Sequence, residues 1–471
     1  MFPRIEHAAE AIPGGITSLL FRFQKLRRTS LSARLAEGAF WTVTGTAFAR
    51  LLGLLSSIVC ARFLSKEGFG QFAVLQSTVA MMGTFAGLGL AVTATKHLAE
   101  WRDIDRTRCS RVVSLTLGVA VAGGILGTLL CAGAAPWLAV HTLAAPELTS
   151  ALRLSSPLVL LVTVQNVYTG ALAGLEGFKA VAVINFIPAV LGAPLVALGA
   201  WEFGISGAIA GLVIQNLAAC VLGHYVLVHQ GRRHGIRFRC LPEGSSGVWL
   251  AETQILWRFS LPAFLSSTLV GPVNWFCNML LVNQKGGYGQ AALLSAANQW
   301  KNVVGFLPLM LGSVLVPMLA NLHAAGRGAD FIRLLKRQLW LSAGICMAMA
   351  LPLIVLSSRL MKIYGGDYGD GAPVLVLTLC TTSLTAINNL LSKSMQSAGR
   401  AWLDLGFSGI WAAVLICASL IFIPRQGAMG VAIAQAFAAA SLGLWQWRVL
   451  RRVIGSGNSV LAVNSISEAA S

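Results

Sequence analysis

Apolar stretches long enough to cross a lipid bilayer recur along the whole chain of 471 residues. About 20 consecutive apolar residues span the hydrocarbon core as a helix. Because 56% of the residues are hydrophobic and only 11% are charged, the chain has too few polar side chains to cover the surface of a soluble protein. The predicted spans are 38–60, 71–95, 112–135, 151–173, 180–201, 204–228, 256–283, 288–320, 334–357, 372–395, 401–423 and 427–447. The sequence therefore predicts an all-α membrane protein with twelve transmembrane helices.

The positive charges are distributed unequally between the two sides of these spans. The net charge is +18, from 35 Lys and Arg against 17 Asp and Glu. If the N-terminus is inside, 25 cations fall on the inner side and 7 on the outer side, which is the bias that orients membrane proteins. We therefore expect both termini in the cytoplasm. The positive charge reflects topology and does not indicate binding to nucleic acid.

Short glycine-containing sequences of the first half return in the same order in the second half. GFGQ at 68–71 matches GYGQ at 287–290, and GISG at 204–207 matches GAMG at 427–430, at offsets of 219 and 223 residues. Each copy holds six spans, and an even number gives both copies the same orientation in the membrane. Two parallel six-helix repeats place a central site between two lobes.

The chain divides into five predicted parts. They are a basic amphipathic N-terminal segment (1–37), a first lobe with helices 1–6 (38–228), a cytoplasmic linker (229–255), a second lobe with helices 7–12 (256–450) and a disordered tail (451–471). Cations between regularly spaced apolar residues suggest that the N-terminal segment lies on an anionic membrane surface. A disordered basic tail is the alternative for that segment.

Three sequences near the second span carry a family resemblance. They are LSKEGFGQFA at 64–73, FAGLGL at 85–90 and KHLAE at 96–100. Together they resemble the N-terminal signature of Wzx-type O-antigen and polysaccharide flippases of the multidrug/oligosaccharidyl-lipid/polysaccharide exporter superfamily. The resemblance implies a V-shaped pair of lobes that works by alternating access, with a central cleft lined by the first, second, seventh and eighth helices. It also implies a bacterial inner-membrane location.

Two cations lie near the middle of predicted spans. Arg50 is about twelve residues into the first span, and Lys301 is about thirteen residues into the eighth. A charge at that depth costs about 2.5–3.5 kcal/mol on insertion scales, so we expect neither side chain to face lipid. By the resemblance, both helices line the cleft, where the two cations would attract an anionic lipid-linked oligosaccharide. A purely structural role for both cations is the alternative.

Amide side chains cluster near Lys301 in the eighth span, and two more lie in the seventh span. The candidates are Asn274, Asn278, Asn298, Gln299 and Asn302. Such groups would hydrogen-bond sugar hydroxyls in a wet cleft, or they would bridge neighbouring helices, and the sequence favours neither role. All carboxylates fall in loops, tails or span ends, with Asp404 the nearest to being embedded. That pattern favours an anionic substrate over a cation.

Four glycines of the signature are predicted to act in loops or hinges. Gly68 and Gly70 would permit positive φ in a tight loop, and Gly87 and Gly89 would permit close helix contact or bending inside the second span. Ordinary packing is the alternative for all four.

No motif of an enzyme or a metal site is found. The nine Cys and seven His show no ligand spacing, and no nucleotide loop or nucleophile motif occurs. The sequence therefore predicts a transporter without a cofactor, with H⁺ or Na⁺ as the candidate coupling ion. The favoured function is flipping of an undecaprenyl-diphosphate-linked oligosaccharide for surface polysaccharide biosynthesis.

Other functions remain as alternatives. A drug or cation antiporter and a lipid II flippase belong to the same superfamily, whereas a membrane-embedded glycosyltransferase or polymerase is less favoured because the outer loops are short. The expected partners are membrane lipids and the polysaccharide polymerase or glycosyltransferase machinery. The protein is expected to act as a monomer.

Overall fold

A computed structural model describes residues 31–102, 104–233, 235–236, 268–397 and 401–469, and it is helical, without a β-strand in these ranges. Three predicted features lie partly outside the described residues. They are the N-terminal segment (1–30 of 1–37), the linker (237–255 of 229–255) and the start of the seventh span (256–267).

In the part of the first half that the structure describes there are seven α-helices. They are α1 (Leu31–Phe63), α2 (Ser65–Gly87), α3 (Leu90–Trp101), α4 (Arg106–Trp137), α5 (Thr149–Ser155), α6 (Pro157–Gly174) and α7 (Phe178–Arg233). Seven more follow in the second half. They are α8 (Val270–Val282), α9 (Gly287–Ala324), α10 (Gly328–Val355), α11 (Ser357–Lys362), α12 (Ala372–Ser397), α13 (Ala401–Gln426) and α14 (Ala428–Ala469).

These helices provide the twelve predicted crossings. Eight helical segments among the described residues are long and apolar enough to cross a membrane, and α2 with α3 forms one further crossing that is bent by 45°. The 56-residue α7 contains two crossings, because its backbone breaks at Gly204. The short apolar α8 and the long α9 supply the seventh and eighth crossings. Large apolar side chains such as Leu129 and Val355 stay exposed on the outside of the bundle, as contact with lipid requires.

The glycine repeat forms the same sharp hairpin in both halves. Gly204 has φ of 60° and Gly427 has φ of 55°, a conformation that glycine adopts without steric cost. A Cβ atom on Gly207 would overlap the backbone of Gly199, and one on Gly430 would overlap the backbone of Phe422. Each second glycine therefore allows the two helices of its hairpin to touch, which confirms the structural repeat.

The two halves meet through four helices. Helix α9 packs against α1 and α2, and α8 packs against α2, so the first, second, seventh and eighth crossings face one another as expected. In the first half α1 packs along α7, and in the second half α9 packs along α12. The central pair, α1 and α9, is thus supported from behind by a long helix of its own lobe.

One end of the bundle joins the lobes. This joined end carries residues 62–70, 138–148, 283–290 and 356–371. A single buried hydrophobic cluster extends to this end from the middle of the bundle and contains residues of both halves, among them Phe69, Leu152, Leu293 and Tyr364. Burial of apolar surface that both halves share stabilises their contact here.

The opposite end, here the split end, carries residues 174–177, 233–236 and 325–327. Its buried clusters are separate. One runs from Leu90 to Ile236 and contains only first-half residues, and the other runs from Leu319 to Leu442 and contains only second-half residues. The lobes therefore share a core at the joined end and have independent cores at the split end, which is the two-lobe, V-shaped arrangement.

Disorder of the tail (451–471) stays a prediction. Helix α14 continues without interruption as far as Ala469. The tail contains no proline, and extending an existing helix by one residue costs far less than starting a new one. The polar composition that suggested disorder therefore does not end the helix.

Candidate functional site

Arg50 connects the two lobes halfway along the bundle. It lies thirteen residues before the end of α1 at Phe63, which is about 20 Å along the helix at 1.5 Å per residue. Its guanidinium Nη1 donates a hydrogen bond of 3.0 Å to the carbonyl oxygen of Asn302 on α9. The guanidinium Cζ of Arg50 lies 5.0 Å from the centre of the Phe306 ring, which is a cation–π distance.

Lys301 occupies the adjacent position on α9 and has a neutral partner. Its Nζ lies 3.4 Å from Oε1 of Gln435 on α14, to which it donates a hydrogen bond. Neither Lys301 nor Arg50 forms an ion pair with a carboxylate in the described ranges of the chain. Both charges are therefore solvated by amide and carbonyl groups without being neutralised.

A cavity of about 180 Å³ lies beside these two cations. Its polar lining residues are Arg50, Lys301, Asn302, Thr382, Thr385, Asn389 and Lys393, and no carboxylate is found among the described residues of its wall. We refer to it as the cationic cavity. Three positive charges around one space of low polarity produce a strongly favourable potential for an anion.

Lys393 is a cavity residue that the sequence does not reveal. In the charge pattern it counts as a cation at the inner end of the tenth span, but α12 continues to Ser397, so Lys393 lies inside the helix and lines the cavity. A signal was present in the spacing of the polar residues. Positions 382, 385, 389 and 393 recur every three or four residues and therefore occupy one face of a helix.

A second cavity, of about 200 Å³, lies on the first-half side of α9. Its polar lining residues are Ser56, Ser57, Cys60, Gln76, Gln215, Ser295 and Gln299, and its walls include Phe69 and Phe72. None of the residues that line it carries a charge. We refer to it as the neutral cavity. Of the predicted amides, Gln299 lies here and Asn302 lies in the cationic cavity.

The other predicted amides lie outside both cavities. The Asn274 side chain donates a 2.7 Å hydrogen bond to the carbonyl of Val270 in its own helix, and neither Asn278 nor Asn298 lines either cavity. The structure therefore brings together Arg50, Lys301 and Asn302 and separates the remaining amides, so their binding role stays a prediction.

The predicted loop at Gly68 and Gly70 is instead the beginning of α2, and neither glycine has positive φ. The positive φ falls on Ser65, at 63°. A Cβ on Gly70 would overlap the backbone of Tyr288, so this position needs glycine for close contact between the lobes. The contact agrees with the packing alternative for Gly70 and not with a need for positive φ.

The bend in the second crossing falls at the other two glycines. Gly87 is the last residue of α2, and the chain passes through Leu88 (φ 43°) and Gly89 (φ 69°) before α3 begins. Both residues have a left-handed backbone conformation, which interrupts the helix and produces the 45° bend. A hinge function of Gly87 and Gly89 stays a prediction.

Among the described residues, one carboxylate is buried within the bundle. Asp404 on α13 is only 2% exposed, and its Oδ2 accepts a 2.9 Å hydrogen bond from the Gln396 amide. It does not line the cationic cavity or the neutral cavity. The cleft between the lobes is therefore without an acidic side chain in the residues that line these two cavities.

A bundle of twelve membrane crossings in two lobes, joined at one end and with a polar cleft at mid-depth, defines a membrane transporter. The fold is similar to the inward-facing conformation of a multidrug resistance MATE family transporter of the MOP superfamily. That likeness has a TM-score of 0.72 and 15% identity, and it covers 87% of this chain and 96% of the other.

Sequence comparison places the chain within this class of transporters. A family model described as "Polysaccharide biosynthesis protein" matches residues 35–323, which is more than half of the chain. The chain therefore belongs to the polysaccharide biosynthesis protein family.

Two curated relatives match over most of their length. The EPS I polysaccharide export inner membrane protein EpsE of Ralstonia nicotianae is 23% identical, over 85% of this chain and 90% of that protein. Stage V sporulation protein B of Bacillus subtilis is 25% identical, over 84% of this chain and 80% of that protein.

Proposed function

We propose that this protein is a flippase that carries an anionic, undecaprenyl-diphosphate-linked oligosaccharide across the bacterial inner membrane by alternating access. The observation that carries this proposal is the cationic cavity, where Arg50, Lys301 and Lys393 surround a space with no acidic lining residue. A diphosphate supplies the negative charge that is absent around these half-buried cations. The relative from Ralstonia is named as a polysaccharide export protein, which agrees with such a cargo.

The chemistry of the cargo explains why the site lies in a cleft between lobes. A diphosphate and its sugars cannot cross the hydrocarbon core unaided, because an unsolvated charge there is costly. The lobes shield this head group, while the polyprenyl tail stays in the surrounding lipid. Rocking of the lobes then requires the joined end to separate and the split end to close.

The charge distribution supports an orientation for this cycle. Both termini lie in the cytoplasm if the inner side is the one with 25 of the 35 cations. The split end then faces the cytoplasm, where lipid-linked oligosaccharides are assembled, and the joined end faces the periplasm. The cleft is thus positioned to receive its cargo from the cytoplasmic leaflet.

A drug or cation antiporter is the less favoured function. A cationic substrate would need an acidic residue in the cleft, whereas Asp404, the carboxylate buried in the bundle, lies away from both cavities. A lipid II flippase would share the anionic diphosphate and differs in its sugars. We further propose H⁺ or Na⁺ as the coupling ion, a monomeric transporter, and the polysaccharide polymerase machinery as partner.

The test replaces the cavity cations one at a time. In Arg50→Ala, Lys301→Ala and Lys393→Ala we expect a tenfold or greater fall in surface polysaccharide, because each variant removes one charge that binds the diphosphate. The amount of transporter in the membrane fraction is measured alongside. Arg359→Ala is the matched control, since Arg359 is an exposed cation outside the cavity. Normal polysaccharide in all three cavity variants would contradict the proposal.

A further inference from the structure

The neutral cavity differs from the cationic cavity in its chemistry although the two are adjacent. Along α9, Gln299 lines the neutral cavity and Lys301 lines the cationic cavity. Along α1, Ala49 lines the neutral cavity and Arg50 lines the cationic one. The two cavities therefore share the α1 and α9 helices as a common wall.

Three glutamines supply hydrogen-bonding groups to the neutral cavity. The side chains of Gln76, Gln215 and Gln299 make no hydrogen bond to any residue in the described parts of the chain. Each amide has two donor hydrogens and an acceptor oxygen, and these groups are free to bind a ligand in place of water. The three amides come from α2, α7 and α9, so they approach one space from three directions.

The position of Gln215 is set by a close helix contact. Its side chain lies directly over Gly192, where a Cβ atom would overlap it. Gly192 and Gln215 belong to the two crossings of α7, on either side of the break at Gly204. The missing side chain of Gly192 therefore makes room for Gln215 beside the cavity.

Uncharged amides and hydroxyls with an aromatic wall suit a sugar. The hydroxyls of Ser56 and Ser295 add further donors and acceptors, and Phe69 and Phe72 supply apolar surface. Sugar hydroxyls both donate and accept hydrogen bonds, whereas a phosphate accepts only and is bound best by cations. The chemistry of the neutral cavity is therefore matched to the uncharged part of a glycolipid head group.

The order of the two cavities along the bundle matches the order of groups in such a lipid. Helix α9 begins at the joined end, and its neutral-cavity residues, Ser295 and Gln299, come before its cationic-cavity residues from Lys301 to Gly312. On helix α1, four of the five residues that line the neutral cavity, from Gly53 to Cys60, lie nearer the joined end than Arg50. A head group that enters from the split end places its sugar deepest and leaves the diphosphate behind it.

We infer that the neutral cavity is the sugar subsite of the cleft, where Gln76, Gln215 and Gln299 hydrogen-bond the saccharide next to the diphosphate. This inference rests on the proposed function, since it takes the cationic cavity as the diphosphate subsite. The two subsites act on different parts of one molecule, so they can be tested separately.

The experiment compares two probes on the purified full-length protein in lipid nanodiscs. One probe is undecaprenyl diphosphate without sugar, and the other is the undecaprenyl-diphosphate oligosaccharide extracted from cells that lack this transporter. We expect the wild type to bind the oligosaccharide lipid at least tenfold more tightly. In Gln76→Leu and Gln299→Leu each lost hydrogen bond should weaken this binding about fivefold, with no change in binding of the sugarless lipid.

The control and the opposing outcomes separate this inference from the proposed function. The control variant is Asn216→Leu. Asn216 is the residue after Gln215, and its side chain donates a hydrogen bond to the carbonyl of Leu212 in the same helix. This variant should bind both lipids as the wild type does. Binding of the sugarless lipid also reports that each glutamine variant is folded. Equal effects of the glutamine variants on both lipids, or none on either, would overturn the sugar subsite.

The cation variants provide the independent arm. Lys301→Ala and Lys393→Ala should weaken the binding of both lipid probes. If these two variants bind both probes as tightly as the wild type does, the proposed diphosphate subsite is wrong, whatever the glutamine variants do. If the wild type binds neither probe, both proposals are overturned.

Discussion

Gly70 lies where the backbones of the two lobes touch. A Cβ atom there would overlap the Tyr288 backbone on α9, and Tyr288 itself donates a 2.6 Å hydrogen bond to the carbonyl of Leu143. Even one added methyl group must therefore push α2 and α9 apart at the joined end. By contrast, no atom of another part of the described chain lies within 4 Å of a Cβ built on Gly83 of the same helix.

We therefore predict opposite effects for two identical substitutions on α2. Gly70→Ala should lower the unfolding free energy by about 1–3 kcal/mol, as overpacking does. Gly83→Ala should be neutral or stabilising by about 0.5–1 kcal/mol, because alanine favours the helix. Thermal unfolding of the two purified variants in the same detergent measures the difference. Equal stability of the two variants would show that the lobes do not meet at Gly70.

At this scale the sequence reveals a residue when its chemistry conflicts with its surroundings. Arg50 and Lys301 are visible because they are charges in the middle of apolar stretches. Lys393 is not, since it lies near the end of a span and resembles a loop cation until the length of α12 is known. Gly70 is visible as a glycine, but the partner that requires it is 218 residues away.

At the scale of elements, the two lobes hold each other by reciprocal contacts. The segment after the first crossing of each half reaches the turn after the third crossing of the other half. Arg62 Nε donates to the carbonyl of Ile363, and Lys66 Nζ donates to that of Asp367, both at 2.8 Å. From the other half, Asn283 Nδ2 donates to the carbonyl of Thr142 at 2.8 Å. Together with the hydrogen bond from Tyr288 to Leu143, these three contacts connect the two halves at the joined end. We refer to the four hydrogen bonds as the clasp.

Buried aromatic rings also connect the two halves at the joined end. The ring of Phe69 lies 6.3 Å from that of Tyr364 and 6.5 Å from that of Tyr368, a distance at which aromatic pairs attract. Burial raises the pKa of Tyr364 above its usual value, so this phenol stays neutral at physiological pH. The joined end therefore combines apolar contact with directional hydrogen bonds, and it must release both for the cycle to proceed.

Removing two donors of the clasp should favour the state in which the joined end is separated. Each hydrogen bond contributes about 0.5–1.5 kcal/mol, so Asn283→Ala with Tyr288→Phe should shift the equilibrium about tenfold or more. Hydrogen exchange followed by mass spectrometry should show faster exchange in segments 139–148 and 283–290. The control is Gln284→Ala, because the Gln284 side chain donates to the carbonyl of Leu280 in the preceding helix and, among the described residues, makes no hydrogen bond to the other half. Unchanged exchange in the double variant would contradict a role of these bonds in closure.

At the scale of the whole molecule, the pattern of cations and the shape of the cleft together indicate which end of the bundle faces the cytoplasm. The proposed orientation turns the split end, with its separate cores in each lobe, toward the cytoplasm. Since the proposed cargo would be assembled there, this orientation lets the open cleft receive it.

Reporter fusions test that orientation. Alkaline phosphatase fused after Lys285, at the joined end, should be active, because this enzyme functions only in the periplasm. The same enzyme fused after Gly326, at the split end, should be inactive, and a fluorescent-protein fusion at that point should be bright. The reverse pattern would mean that the cleft opens to the periplasm and would falsify the cytoplasmic loading of the cargo.

The twelve crossings and the repeat could be predicted because length, hydropathy and glycine spacing are local properties of the chain. Which end of the bundle is joined could not, since it depends on contacts such as Arg62 with Ile363, which are 301 residues apart. The same holds for the neutral cavity, whose glutamines come from three distant helices. Sequence patterns predict how deep such residues lie in the membrane, but they do not predict which residues of other helices they contact.

The four carbonyl oxygens that the clasp uses belong to Thr142, Leu143, Ile363 and Asp367. Every amino acid brings the same carbonyl, so the receiving turns are recognised through their backbone path and not through their side chains. Side-chain substitutions in these turns therefore leave the acceptors in place and need no matching changes in the donors. The clasp thus imposes its evolutionary constraint on one side of each contact only.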